Sequence, residues 1–165
     1  MKLCGFTNAN LLGSLLDGKS TSGVIFSVGS ASVSWYRRKK IYVALSSTEV
    51  EYMDASQVAC EVIWMGNILI VLFGHMMDPT VIYYHNHSYI KLSENLVFHD
   101  RSRHIDIRYH HLWDCVQRKI MLLQYIQIEE KEASILTKVL LRGKFEFHRW
   151  MIGVVDNPFL TGRER

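Results

Sequence analysis

Cysteine is scarce in this chain of 165 residues: Cys4, Cys60 and Cys115 stand far apart, with no paired spacing. That excludes a disulfide framework or a zinc knuckle and points to a reducing compartment, hence to an intracellular protein of the cytoplasm or nucleus. A secretory leader is also missing, since Met1-Lys2-Leu3 runs directly into Cys4-Gly5-Phe6. Internal repeats and low-complexity linkers are absent as well, so nothing in the sequence divides it. Neither sign of charge is in large excess. A net charge of +3 permits contact with nucleic acid and does not demand it.

Long hydrophobic runs are few. Val62 to Met77, VIWMGNILIVLFGHMM, carries no Asp, Glu, Lys or Arg, but it spans only sixteen residues and is broken by Gly66, Asn67, Gly74 and His75. A membrane-spanning helix needs about 20 apolar residues. The expected role is the buried end of a long core helix stopped by Gly74, and no membrane contact is expected.

Apolar residues make up 48% of the chain and charged ones 21%, a globular balance. The length suits one domain over residues 1–165, with a core to about 140 and a helical tail over 141–165. Residues 23–29 and 31–36 alternate apolar and small polar side chains around Gly29-Ser30, which predicts a hairpin following a first strand. Next come a long helix from about 48 to 73, a strand at 80–84 and a short helix near 86–93. A helix over 106–119, a strand at 121–127 and helical turns at 129–136 and 144–152 complete the series. Three meandering strands followed by alternating helices and strands predict an α/β fold with a mixed, five-stranded sheet flanked by helices.

The long helix carries the most informative chemistry. Ser46 and Glu49 have capping-box spacing, as do Thr48 and Glu51. Ala55, Val58, Val62, Met65 and Leu69 lie at helical intervals after Glu51, which heads this core-facing stripe. A carboxylate there loses hydration unless a hydrogen bond, a cation or a metal compensates it. A second capping box explains Glu51 without any catalytic role, and spacing alone does not decide between the two.

The string Ala44-Leu45-Ser46-Ser47-Thr48-Glu49-Val50-Glu51-Tyr52-Met53 resembles the ribonuclease H domain of copia-type LTR retrotransposon Pol polyproteins. The resemblance runs in order along the chain. Gly5-Phe6-Thr7-Asn8-Ala9-Asn10 is similar to that family's opening strand, and Lys19-Ser20-Thr21-Ser22-Gly23 to the turn into the second. Val33-Ser34-Trp35 resembles the third strand and Tyr84-His85-Asn86 the end of the fourth. His104-Ile105-Asp106-Ile107-Arg108-Tyr109-His110 resembles the following helix, and Glu132-Ala133-Ser134-Ile135-Leu136-Thr137-Lys138 the last catalytic segment.

The resemblance implies a ribonuclease H-like fold and a metal-dependent endonuclease acting on RNA in RNA–DNA hybrids. Magnesium or manganese would be the cofactor, and an upstream reverse transcriptase domain the polyprotein neighbour. It also implies four converging carboxylates, at positions 8, 51, 85 and 134. Phosphodiester hydrolysis needs an activated water and a stabilised leaving oxyanion, and two metal ions about 3.5–4 Å apart supply both. This chain retains Glu51 alone, with Asn8, His85 and Ser134 at the other three positions. Asn10 and Leu11 also stand where the family pattern has Asp and Trp. An amide, an imidazole and a hydroxyl hold hard divalent cations poorly, so Glu51 is left as a weak metal ligand or none. The expectation is a degenerate, inactive descendant. The alternative is a non-catalytic nucleic-acid- or protein-binding module retained from a transposon, or an unselected remnant.

Two further features were weighed. His85, His87, His99, His104, His110 and His111 invite a transition-metal site, yet the six-residue separation of His104 and His110 does not share one helix face. Ordinary surface and core roles fit them better. Arg37-Arg38-Lys39-Lys40 reads as a solvated hairpin tip or as a phosphate contact for a hybrid duplex, gaining affinity by counterion release.

Overall fold

The computed structural model describes residues 2–10, 19–40, 47–74, 78–84, 90, 103–127 and 132–154. Strand β1 (Leu3–Asn10) pairs antiparallel with β2 (Thr21–Val28), which pairs antiparallel with β3 (Ala31–Lys39). Helix α1 (Ser47–Phe73) leads to β4 (Thr80–Tyr84), parallel to β1. Helix α2 (Arg103–Gln117) then leads to β5 (Met121–Tyr125), parallel to β4. Two short helices follow, α3 (Ser134–Thr137) and α4 (Arg142–Met151). The sheet order is β3-β2-β1-β4-β5, the mixed five-stranded α/β arrangement expected from the sequence.

Strand alternation gives the sheet two different faces. Leu3 of β1, Val24 and Phe26 of β2, and Ile82 and Tyr84 of β4 point to one side. There they meet Ala55, Val58, Ala59, Val62 and Met65 of α1, with Leu112 and Cys115 of α2 closing the cluster. The predicted stripe of α1 is therefore the one that packs, and Leu69 lies half-buried against it. Helix α1 stops at Gly74, whose φ of +72° suits a residue without Cβ and whose N–H reaches the Ile70 carbonyl at 2.8 Å.

Three expectations need correction. The end of α1 is not buried: Val71, Leu72 and Phe73 are exposed beyond the stretch from Ala55 to Met65 that packs on the strands, and Trp64, next to buried Met65, is exposed as well. Its apolar length was also undercounted. Met53–Phe73 is long and apolar enough, by length and composition, to cross a membrane, since Asp54 and Glu61 are its only charges. Finally, Arg37, Arg38 and Lys39 are not a hairpin tip. The turn lies at Gly29-Ser30, and these cations form the last residues of edge strand β3. The expected short helix at 86–93 lies outside the described residues except for Ile90, which is helical and packs on the core.

Candidate functional site

The second face of the sheet carries Cys4, Phe6 and Asn8 of β1, with Gly23 and Ile25 of β2 beside them. Phe6 stacks on Tyr83 of β4, their rings 4.9 Å apart. Asn8 lies opposite Gly23, and the missing side chain at Gly23 has a structural consequence. A Cβ there would sit 2.7 Å from Leu136 Cβ and 2.9 Å from Thr137 Cγ2, too close for either to stay. Glycine thus lets α3 lie directly on the sheet next to Asn8.

That approach brings Asn8 and Ser134 together, although they are 126 residues apart. Asn8 Nδ2 donates to Ser134 Oγ at 3.5 Å and to Thr137 Oγ1. All three residues are buried. These three side chains are neutral, and the amide of Asn8 donates to two hydroxyl oxygens. Thr137 was missed as a member of this cluster. Its place in the Glu132–Lys138 string, three residues after Ser134 and so one helical turn on, was the available signal.

Glu51 belongs to the second turn of α1, but its side chain lies outside the described residues. His85 also lies outside them. Strand β4 runs parallel to β1 with Tyr83 beside Phe6, so it ends at the Asn8 end of the sheet. Among the described residues, no three His, Cys, Asp or Glu side chains are grouped to hold a metal ion. Asn8, Ser134 and Thr137 bring neutral oxygens to this end of the sheet and no carboxylate. Of the histidines once weighed as ligands, His110 is exposed, and His111 lies between two thiols. Its Nε2 is 3.5 Å from Cys60 Sγ and its Nδ1 is 4.0 Å from Cys115 Sγ, so the sulfurs address opposite edges of the ring.

The basic run is divided by the pleat. Asn8, Gly23 and Arg37 occupy one row across β1, β2 and β3, so Arg37 shares the face of Asn8, about 10 Å away across two strand spacings. Lys39 follows on that face. Arg38 and Lys40 fall on the α1 side, where Arg38 Nη1 donates to Gln57 Oε1 at 3.3 Å. Lys40 forms an ion pair with Asp54, with both side chains largely buried. Ser22 Oγ donates to the same Asp54 Oδ1 at 2.6 Å, while Oδ2 is buried and has no hydrogen-bond partner among the described residues. Asp54 therefore ties the end of β3 to α1, a carboxylate role that sequence reasoning missed.

No protein-family model matches the chain. Among solved structures, LC11-RNase H1, isolated from compost by a metagenomic approach, is similar with a TM-score of 0.61 and 12% identity, over 82% of this chain and 91% of that one. The N-terminal RNase H domain of a Mycobacterium tuberculosis protein is similar with a TM-score of 0.59 and 8% identity, over 90% and 96%. LC11-RNase H1 in complex with an RNA/DNA hybrid gives a TM-score of 0.57 at 9% identity, over 82% and 93%. The chain has the ribonuclease H fold.

Its sequence relatives narrow this further. It is 36% identical over 155 residues to the retrovirus-related Pol polyprotein from transposon TNT 1-94 of Nicotiana tabacum, covering 94% of this chain and 12% of that polyprotein. It is 32% identical over 158 residues to the Pol polyprotein from transposon RE2 of Arabidopsis thaliana, covering 96% and 11%. The chain is thus a homologue of one segment of transposon Pol polyproteins and spans about one-eighth of the TNT 1-94 relative.

Proposed function

We propose that this ribonuclease H-like domain descends from a metal-dependent endonuclease acting on RNA in RNA–DNA hybrids and has lost that activity. The observation that carries the reading is the hydrogen bonding of Asn8 to Ser134 and Thr137. By resemblance, positions 8 and 134 are metal-binding carboxylates. Here they form a neutral amide–hydroxyl contact that supplies no anionic oxygen. With His85 at the third position, the cluster falls from four formal negative charges to one, and Glu51 alone does not hold two cations.

What such a domain retains is hybrid binding. The exposed cations Arg37, Arg38 and Lys39 on edge strand β3 support this, with Arg37 in the same row as Asn8. Lys40, bound to Asp54, contributes less than its neighbours in the run. Recognition would rest on phosphates and 2′-hydroxyls rather than base identity. A reverse transcriptase segment of the same polyprotein is the proposed neighbour, and a membrane has no part in this reading. The test pairs cleavage and binding on one labelled hybrid with magnesium or manganese present. Binding without cleavage, weakened and less salt-dependent after neutral replacement of Arg37, Arg38 and Lys39, supports the reading. Magnesium-dependent cleavage lost on Glu51→Gln rejects it.

A further inference from the structure

A cavity of about 470 Å³ opens on the face of the sheet that carries Asn8, towards the opposite end of β1. Cys4, Phe6 and Ser27 form its floor, while Trp150 and Met151 of α4 form a wall. Glu132 lines it and is only 8% exposed. Among the described residues its carboxyl makes no hydrogen bond or ion pair, and no lysine or arginine lines the cavity. Of the other polar side chains that line it, the Cys4 thiol is directed to the Ser27 carbonyl at 3.7 Å and the Ser27 hydroxyl lies 3.4 Å from that of Ser32, while Ser30 sits in the adjoining turn.

A carboxyl that faces such a cavity is partly stripped of water, a cost that an incoming cation offsets. We infer that this cavity binds a planar amidinium or guanidinium cation, with Glu132 receiving its paired N–H donors and Trp150 and Phe6 flanking its flat body. The paired donors of such a cation match the two oxygens of one carboxylate, which a single-point ammonium does not. Its delocalised charge is weakly hydrated and stacks on aromatic faces, and Trp150, 68% exposed, offers such a face at the rim. Loss of hydration raises the Glu132 pKa to about 7, which agrees with a carboxyl lacking its counter-ion. None of these residues belongs to the Asn8–Ser134–Thr137 cluster, so the inference stands apart from the proposed nuclease ancestry.

Calorimetric titration of the whole chain with benzamidinium chloride tests it. One site with a dissociation constant of about 1 mM or tighter is expected. Glu132→Gln, which keeps the shape and removes the charge, should weaken binding at least tenfold. Trp150→Ala, at an exposed position that leaves the fold intact, should weaken it severalfold. Benzamide, flat but uncharged, should bind at least tenfold more weakly than benzamidinium. Undiminished affinity in folded Glu132→Gln protein, equal binding of benzamide, or no saturable heat with benzamidinium would each overturn the assignment.

Discussion

The two faces of the sheet solve burial in opposite ways. Against α1 and α2, Leu3, Phe26, Ile82 and Leu112 build a continuous apolar cluster, each almost fully buried. The carboxylate buried on that side among the described residues, Asp54, is met by Lys40 and Ser22. Against α3 and α4, the cover is thin and polar groups are buried at several points: Asn8 with Ser134 and Thr137, then Glu132 without a partner among the described residues. Stability is concentrated on the first face, while the second holds the arrangements that are costly unless they serve binding or chemistry. Asn8 and Ser134, the positions that the resemblance singles out, lie on that second face.

The largest effect should come from the apolar face. Phe26→Ala removes a side chain with no exposed surface and should cost about 3–5 kcal/mol in denaturant unfolding. An effect below about 1 kcal/mol would mean that this face is not the seat of stability. Asp54→Ala should cost about 3 kcal/mol, because Lys40 is left largely buried without its counter-charge. Asp54→Ala combined with Lys40→Met should recover much of that loss, and failure to recover would deny that the pair is coupled.

Glu132→Gln should do the reverse and stabilise the protein by roughly 1–3 kcal/mol at pH 8. The folded carboxyl binds its proton more tightly than an ordinary one near 4.5. Its contribution to stability is therefore fully present below about pH 4.5 and is lost as pH rises through about 7. The advantage of Gln should vanish near pH 4 in melts run across this range. A pH-independent difference would remove ionisation as its cause.

Much of the first face was legible in the sequence. The α1 stripe from Ala55 to Met65 follows helical periodicity, and β4 occupies Thr80–Tyr84 as the apolar run implied. Periodicity does not say how far a helix outruns its sheet, so the exposure of Val71 to Phe73 was hidden. Strand β3 continues through Arg37, Arg38 and Lys39 because an edge strand tolerates and even favours charge, whereas a basic run reads locally as a loop. The pairing of Lys40 with Asp54 joins separate elements and has no local signature. The second face was legible only through resemblance, which named Asn8 and Ser134 as neighbours. The bond to Thr137 and the close approach at Gly23 needed three dimensions.

Placing carboxylates at positions 8, 85 and 134 tests the proposed loss of activity most directly. The triple variant Asn8→Asp, His85→Asp, Ser134→Asp should gain magnesium- or manganese-dependent cleavage of RNA in an RNA–DNA hybrid, and Glu51→Gln in that background should abolish it. Single restorations should do little, because metal ligands act as a unit. The unmodified chain, assayed beside them, should leave the hybrid intact. Magnesium-dependent cleavage by the unmodified chain, at a rate the triple variant does not exceed, would contradict the account.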